Sequence, residues 1–140
     1  MKKLVSVLIC CILLVMALPI STFAKNNEAT PYWNNVIRVN YDFNINSSGK
    51  ATVYVSYVGY TGMTGATVTT KIQKQQTNGS WVDVDINTTN NEWVDTSSGI
   101  TFSTSHSVVV SRGTYRALIE YEIRGSKPTD TIGDIIERTY

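Results

Sequence analysis

From residue 36 onward the chain alternates between apolar and polar side chains with a period of two. Between Val36 and Asn46, Ile37, Val39, Tyr41, Phe43 and Ile45 share one side, and Arg38, Asn40, Asp42 and Asn44 take the other. That spacing predicts an antiparallel strand with one side on a core and one in water. Asn46-Ser47-Ser48-Gly49-Lys50 is turn chemistry, and Ala51, Val53, Val55 and Tyr57 then open a second alternating strand. A loop is expected from Gly59 to Gly65, followed by a third strand over Val68, Thr70 and Ile72. Thr77-Asn78-Gly79-Ser80 predicts a hairpin, because Asn-Gly takes positive φ readily, and a fourth strand runs from Trp81 to Ile86. The polar residues 87–99 are expected to form the longest loop. Ile100, Phe102, His106, Val108 and Val110 mark a fifth strand whose uneven spacing leaves room for a bulge. After Ser111-Arg112-Gly113 the sixth strand sets Tyr115, Ala117, Ile119, Tyr121 and Ile123 against Arg116, Leu118, Glu120, Glu122 and Arg124. A last strand covers Ile132 to Tyr140.

About seven short strands, spaced roughly 10 to 15 residues apart and punctuated by Gly, Asn and Ser, fit a single all-β antiparallel sandwich of two sheets. The segment Val110-Ser111-Arg112-Gly113-Thr114-Tyr115-Arg116-Ala117 refines that expectation. It resembles the turn into strand F of immunoglobulin-like domains, where a tyrosine folds its hydroxyl back onto the preceding turn. Tyr115 is that tyrosine, Gly113 belongs to its turn, and Ala117 stands where antibody domains place a cysteine. The resemblance implies an immunoglobulin-like or fibronectin-III-like sandwich and no immune function. The chain departs from the antibody pattern in lacking a disulfide and a third-strand tryptophan, with Ile72 in that place.

The N-terminus adds a location. Lys2 and Lys3, the apolar stretch Leu4 to Leu18, Pro19 and the small-residue exit Thr22-Phe23-Ala24 form a secretory signal with cleavage expected after Ala24. A membrane-spanning helix needs about 20 apolar residues and the run here is about 15, so a cleaved signal fits better than an uncleaved anchor. Cys10 and Cys11 lie inside the apolar core, which does not suit lipidation, and both leave with the signal. The mature chain then holds no disulfide, thiolate nucleophile or thiolate metal site. The end Glu137-Arg138-Thr139-Tyr140 has no anchor-like apolar tail. The expected organisation is a signal over residues 1–24, a lead-in over 25–35 and one sandwich domain over 36–140, secreted and free of the membrane after cleavage.

Charge and chemistry narrow the function classes. Lys2 and Lys3 leave with the signal, so 12 basic against 11 acidic residues becomes a mature balance of −1. Duplex binding needs a basic face that releases counterions, so nucleic acid is not an expected partner. Asp83, Asp85 and Asn87 resemble the opening of a calcium loop, but Thr88 and Val94 occupy the positions that need Gly and a bidentate Glu. A strand with its polar side outward explains them better. Glu120 and Glu122 share a strand side with Arg116 and Arg124, a surface charge ladder more than a hydrolytic carboxylate pair. His106 is the only histidine, so no multi-histidine metal site can form, and no GxSxG elbow supports a Ser-His-Asp triad. The glycines at 59, 62 and 65 lack the spacing of a phosphate cradle. Asn46, Asn78 and Asn87 begin N-x-Ser/Thr sequons, which could carry glycans only in a eukaryotic host and otherwise read as turn residues. Neither a cofactor nor a metal is expected.

The whole mature chain also resembles a group of small secreted proteins from Gram-positive bacteria, mostly of unknown function. The likeness rests on Pro31-Tyr32-Trp33-Asn34-Asn35, Ser47-Ser48-Gly49-Lys50-Ala51-Thr52-Val53, Gly79-Ser80-Trp81 and Gly113-Thr114-Tyr115-Arg116. It implies location and fold and brings no active site. The aromatic residues alone lean toward binding: Tyr54, Tyr60, Trp81 and Trp93 are candidates for an exposed contact surface, against a reading in which the tryptophans cap the core. Three functions follow in order of fit. The first is a secreted, non-catalytic interaction module with an unidentified protein or glycan partner. The second is a carbohydrate or cell-wall binding module using those aromatics, and the third a small hydrolase using His106 or the Glu120/Glu122 pair.

Overall fold

A computed structural model describes residues 32–140; the expected signal and residues 25–31 of the lead-in lie outside the described residues. Among the described residues eight strands follow in chain order: β1 (Val36–Ile45), β2 (Lys50–Gly59), β3 (Met63–Gln75), β4 (Trp81–Asp83), β5 (Glu92–Ser97), β6 (Thr101–Val109), β7 (Thr114–Gly125) and β8 (Asp130–Thr139). They form two antiparallel sheets. The first has the order β1-β2-β6, and the second runs β4-β3-β7-β8 with β5 also paired to β3. β4 and β5 lie along the same edge of β3, on Gln73–Gln75 and Ala66–Lys71 respectively. Together they are one edge strand broken by an excursion.

The break has a local cause. Asn87, Asn90 and Asn91 take positive φ (58°, 61° and 52°) around a 3-10 turn at Thr89–Asn91, which lifts the chain out of the ladder. The fourth strand is therefore shorter than its expected Trp81–Ile86, and the expected loop 87–99 contains β5, giving eight strands in place of about seven. β5 escapes a hydrophobicity reading because its inward positions are Trp93, Asp95 and Ser97, while Val94 faces outward and is 55% exposed. Two further expectations are corrected. A bulge between Val36 and Arg38 turns Ile37 out of the core side, leaving it 53% exposed with Val36 buried in its stead. No bulge interrupts β6, which pairs residue for residue with Lys50–Val58; Thr104 fills the inward position between Phe102 and His106.

The core lies between the sheets. Phe43, Val53, Val55 and Tyr57 from the first sheet meet Val68, Ile72, Ala117, Ile119, Tyr121 and Ile123 from the second, all almost wholly buried. Each large side chain of this kind contributes about 1.5–3 kcal/mol by leaving water. Three buried tyrosines carry polar tips, and each finds a backbone carbonyl. Tyr57 donates to Gly99 O at 3.0 Å, Tyr115 to Ser111 O at 2.8 Å, and Tyr121 to Asn40 O at 2.9 Å. The Tyr121 bond ties β7 to β1 across the sandwich. Burial pushes the Tyr121 phenol well above its ordinary value. The Tyr115 bond closes the turn as expected from sequence, and Ala117 is fully buried two positions on. Gly113, with φ of 153°, exchanges backbone bonds of 3.2 and 2.9 Å with Tyr140, securing the chain end beside that turn.

The lead-in is clamped at the other end of the second sheet. Asp130 Oδ1 accepts from Asn34 N at 2.8 Å and Asn34 Nδ2 at 3.2 Å, and Oδ2 accepts from Asn35 N at 2.6 Å. Asn35 in turn donates to Pro128 O at 2.7 Å. Thr70 is the exception to this polar satisfaction: among the described residues its Oγ1 is the one buried side-chain oxygen or nitrogen with no hydrogen-bond partner.

Candidate functional site

The outward side of the second sheet is built by register. Opposite one another across β3, β7 and β8 stand Gln73, Arg116 and Glu137; then Lys71, Leu118 and Ile135; then Thr69, Glu120 and Gly133. On the β3 flank Asp83 opposes Gln73, Glu92 opposes Lys71, and Val94 opposes Thr69. Gly133 has no side chain in this layer, and a Cβ built there would come no closer than 3.6 Å to Ile119 O. The missing side chain lets the surface sink beside Glu120. The result is an open trough of about 790 Å³ across the strands, with Leu118 and Ile135 as its apolar part and Lys71, Glu92 and Glu120 as its charged part.

One wall of the trough is held rigidly. Gln73 Nε2 donates to Asp83 Oδ1 at 2.7 Å, and Lys71 Nζ reaches Asp83 Oδ2 at 3.2 Å and Glu92 Oε2 at 3.9 Å. Arg116 Nε donates to Gln73 Oε1 at 2.8 Å, and its guanidinium stands 4.3 Å from the Trp81 ring centroid. The chain Trp81, Arg116, Gln73, Asp83, Lys71, Glu92 thus links β7 through β3 to both pieces of the β4/β5 edge. Hydrogen bonding from Gln73, opposed by partial burial and joined by Lys71, holds the Asp83 carboxyl below its ordinary 3.8. Fixing long side chains before a partner arrives lowers the entropy lost on binding.

The four aromatic candidates do not converge. Tyr54 sits on the outward side of the first sheet, beside a smaller groove of about 340 Å³ lined also by Arg38, Asn40 and Ser56. Tyr60 is exposed in the β2–β3 connection, and Trp81 is half-buried at the edge of the second sheet. Trp93 points inward, stacked on the His106 ring at 5.0 Å and 7°. His106 Nε2 is hydrogen-bonded to Asp95 Oδ2 at 2.7 Å, so this cluster closes the side of the sandwich between β5 and β6. Asp95 was invisible as a partner from sequence because its segment reads as loop. No serine hydroxyl is bonded to His106 among the described residues.

The other candidates have ordinary partners. Glu122 pairs with Arg124 at 2.8 Å, as a charge ladder requires, whereas Arg116 turns to Gln73 and Trp81 and leaves Glu120 in the trough. Asp83 is engaged by Gln73 and Lys71, and Asp85 Oδ1 accepts from Asn87 N at 2.9 Å, so the Asp-x-Asp-x-Asn run is spent on a wall and a turn. Asn46 and Asn78 hold their turns: Asn46 Oδ1 accepts from Ser48 and Lys50, Asn78 Oδ1 from Ser80. The architecture defines the chain as an antiparallel two-sheet β-sandwich with an open trough on its larger sheet. No family model, curated protein or solved structure matches this chain.

Proposed function

We propose that this protein is a secreted, non-catalytic interaction module of immunoglobulin-like type, which receives its partner on the outward side of the β3–β7–β8 sheet. The observation that carries this reading is the trough itself, in which a preordered polar wall from Trp81 to Glu92 borders an apolar strip of Leu118 and Ile135. A small apolar centre beside fixed polar groups is the arrangement of a protein interface. The Tyr115 corner, with Ala117 buried behind it, supports the immunoglobulin-like assignment. The signal-like residues 1–24 and the likeness to small secreted bacterial proteins support the location. The glycan alternative keeps only Trp81 of its four aromatics on this surface, and its ring is covered on one side by Arg116.

The test is capture from culture envelope and supernatant by tagged residues 25–140, with Leu118→Arg and Tyr54→Ala proteins alongside. Near-ultraviolet circular dichroism checks that each variant is folded. The reading expects a saturable partner that Leu118→Arg loses and Tyr54→Ala keeps. Equal capture by both, or loss only with Tyr54→Ala, would refute the assignment of this surface.

A further inference from the structure

Four strand edges border the two sheets, and three of them carry devices that block the addition of another strand. β1 is bulged at Val36/Arg38 and presents Arg38 and Asp42. β8 carries Asp134, Glu137 and Arg138, and Arg138 leans toward Asp42 at 3.8 Å. The β4/β5 edge is broken and carries Asp83, Glu92 and Asp95. β6 has none of these. Its nine residues, Thr-Phe-Ser-Thr-Ser-His-Ser-Val-Val, include no acidic or basic side chain apart from His106, no proline and no glycine, and its ladder to β2 is unbroken.

Hydrogen-bond parity shows which groups are left over. Gly59 N donates to Ile100 O at 2.7 Å and Val110 N to Gly49 O at 2.8 Å. Even-numbered residues here therefore bond toward β2. Thr101, Ser103, Ser105, Ser107 and Val109 aim their N–H and C=O groups at the open side, because both groups of one residue point the same way in an antiparallel ladder. All five are exposed, and no side chain among the described residues covers their backbone groups with a hydrogen bond.

We propose that β6 is a self-association edge: it pairs antiparallel with β6 of a second copy about a two-fold axis at Ser105, joining two three-stranded sheets into one of six strands. The occupant follows from the strand's own symmetry. Centring on Ser105 sets Thr101 against Val109 of the second copy and Ser103 against Ser107, so every open backbone group finds its complement in about ten hydrogen bonds, two per facing pair. A shift by two residues leaves one open residue unpaired at each end, and a shift by one places open groups against closed ones. On the inward side the same register sets Phe102 against Val108 and Thr104 against His106. These are an aromatic with a β-branched residue and two hydrogen-bonding groups, and no like charges meet. Asp95 already satisfies His106 within its own protomer. Residues 25–31, Lys25 to Pro31, fit the edge less well: they are fewer, carry Lys25, Glu28 and Pro31, and offer no large apolar side chain to Phe102 or Val108. Pairing in the plane of the first sheet leaves the trough on the second sheet open in both copies.

The experiment is sedimentation velocity on residues 25–140 from about 1 to 300 µM, a range suited to an interface made chiefly of one strand pair. Wild type is expected to pass from monomer to dimer within it. Ser105→Lys and Ser105→Glu each place like charges at the axis and are expected to stay monomeric, whereas their equimolar mixture is expected to restore the dimer. Ser105→Cys is expected to form an intermolecular disulfide on mild oxidation, since facing residues of a hydrogen-bonded pair have Cα atoms about 5.5 Å apart. A wild-type monomer throughout overturns the proposal, as does a dimer that Ser105→Lys does not disturb. Dimerisation seen only after deletion of residues 25–31 overturns it in favour of capping by the chain's own lead-in.

Discussion

Replacing Thr70 with valine should stabilise this protein, against the usual direction of a core substitution. Thr70 is fully buried on the inward side of β3, and its hydroxyl has no partner. In the unfolded chain that hydroxyl is bonded to water, so folding strips it and returns nothing, at a cost of about 1–3 kcal/mol for an unsatisfied buried polar group. Valine has nearly the same shape and adds a methyl in its place, a further gain of up to about 0.8 kcal/mol. A net stabilisation of roughly 1–3 kcal/mol follows, and each kcal/mol raises the melting temperature of a domain this size by about 4–8 °C. Thr69→Val is the control: it makes the same chemical change one residue away on the outward side, where the hydroxyl meets solvent, and should stay within about 0.5 kcal/mol of wild type. Urea unfolding of the three proteins, with unchanged m-values, measures the difference. A Thr70→Val protein no more stable than Thr69→Val would refute the reasoning and mean that the Thr70 hydroxyl is satisfied.

Tyr115→Phe should lose about 0.5–1.5 kcal/mol by removing the bond to Ser111 O, read as a lower urea midpoint; no change would deny that bond a structural role. Asp130→Asn puts an amide against backbone donors at Asn34 and Asn35, at about 1–3 kcal/mol, and hydrogen exchange at those two amides should accelerate more than in β2. Acid should remove the contribution of Asp83: its folded pKa is depressed, so the stabilisation is present above 3.8 and is lost as pH falls below it, an effect that Asp83→Asn abolishes. Alkali acts on Tyr121 with the opposite sign. Its folded pKa is raised, so stability is intact below the ordinary 10.0 and declines above it, and Tyr121→Phe should flatten that decline in a pH series of melting temperatures.

What could be read in the sequence was what repeats locally. β7 alternates throughout, and β2 and β3 do so over Ala51–Val55 and Ala66–Ile72, where the inward residues are those the period marks; β3 begins at Met63, inside the expected Gly59–Gly65 loop, with a bulge between Met63 and Gly65. The Tyr115 corner was legible because donor and acceptor are four residues apart. β5 was not, since its inward Asp95 is satisfied by His106 from another sheet, and the apolar signal of the segment runs the wrong way. The trough wall was hidden for a different reason. Arg116 and Gln73 are 43 residues apart, and only the β3–β7 register brings them together. A strand's own pattern tells which side a residue faces and says nothing of who stands opposite.

The β2–β6 ladder has a bearing on time. Lys50 pairs with Val109, so the first sheet cannot be completed until the chain between them has passed through the second sheet and returned. Three pairings are near neighbours in sequence, β1 with β2, β3 with β4 and β7 with β8, and hairpins of that kind form in about 1–10 µs. The β2–β6 and β3–β7 pairings join those hairpins over long loops, whose closure entropy must be met before their contacts repay it. The molecule should assemble as quick local ribbons followed by a slow docking step, in milliseconds to seconds as for other sandwiches. Until that step ends, both long sides of β6 lie bare.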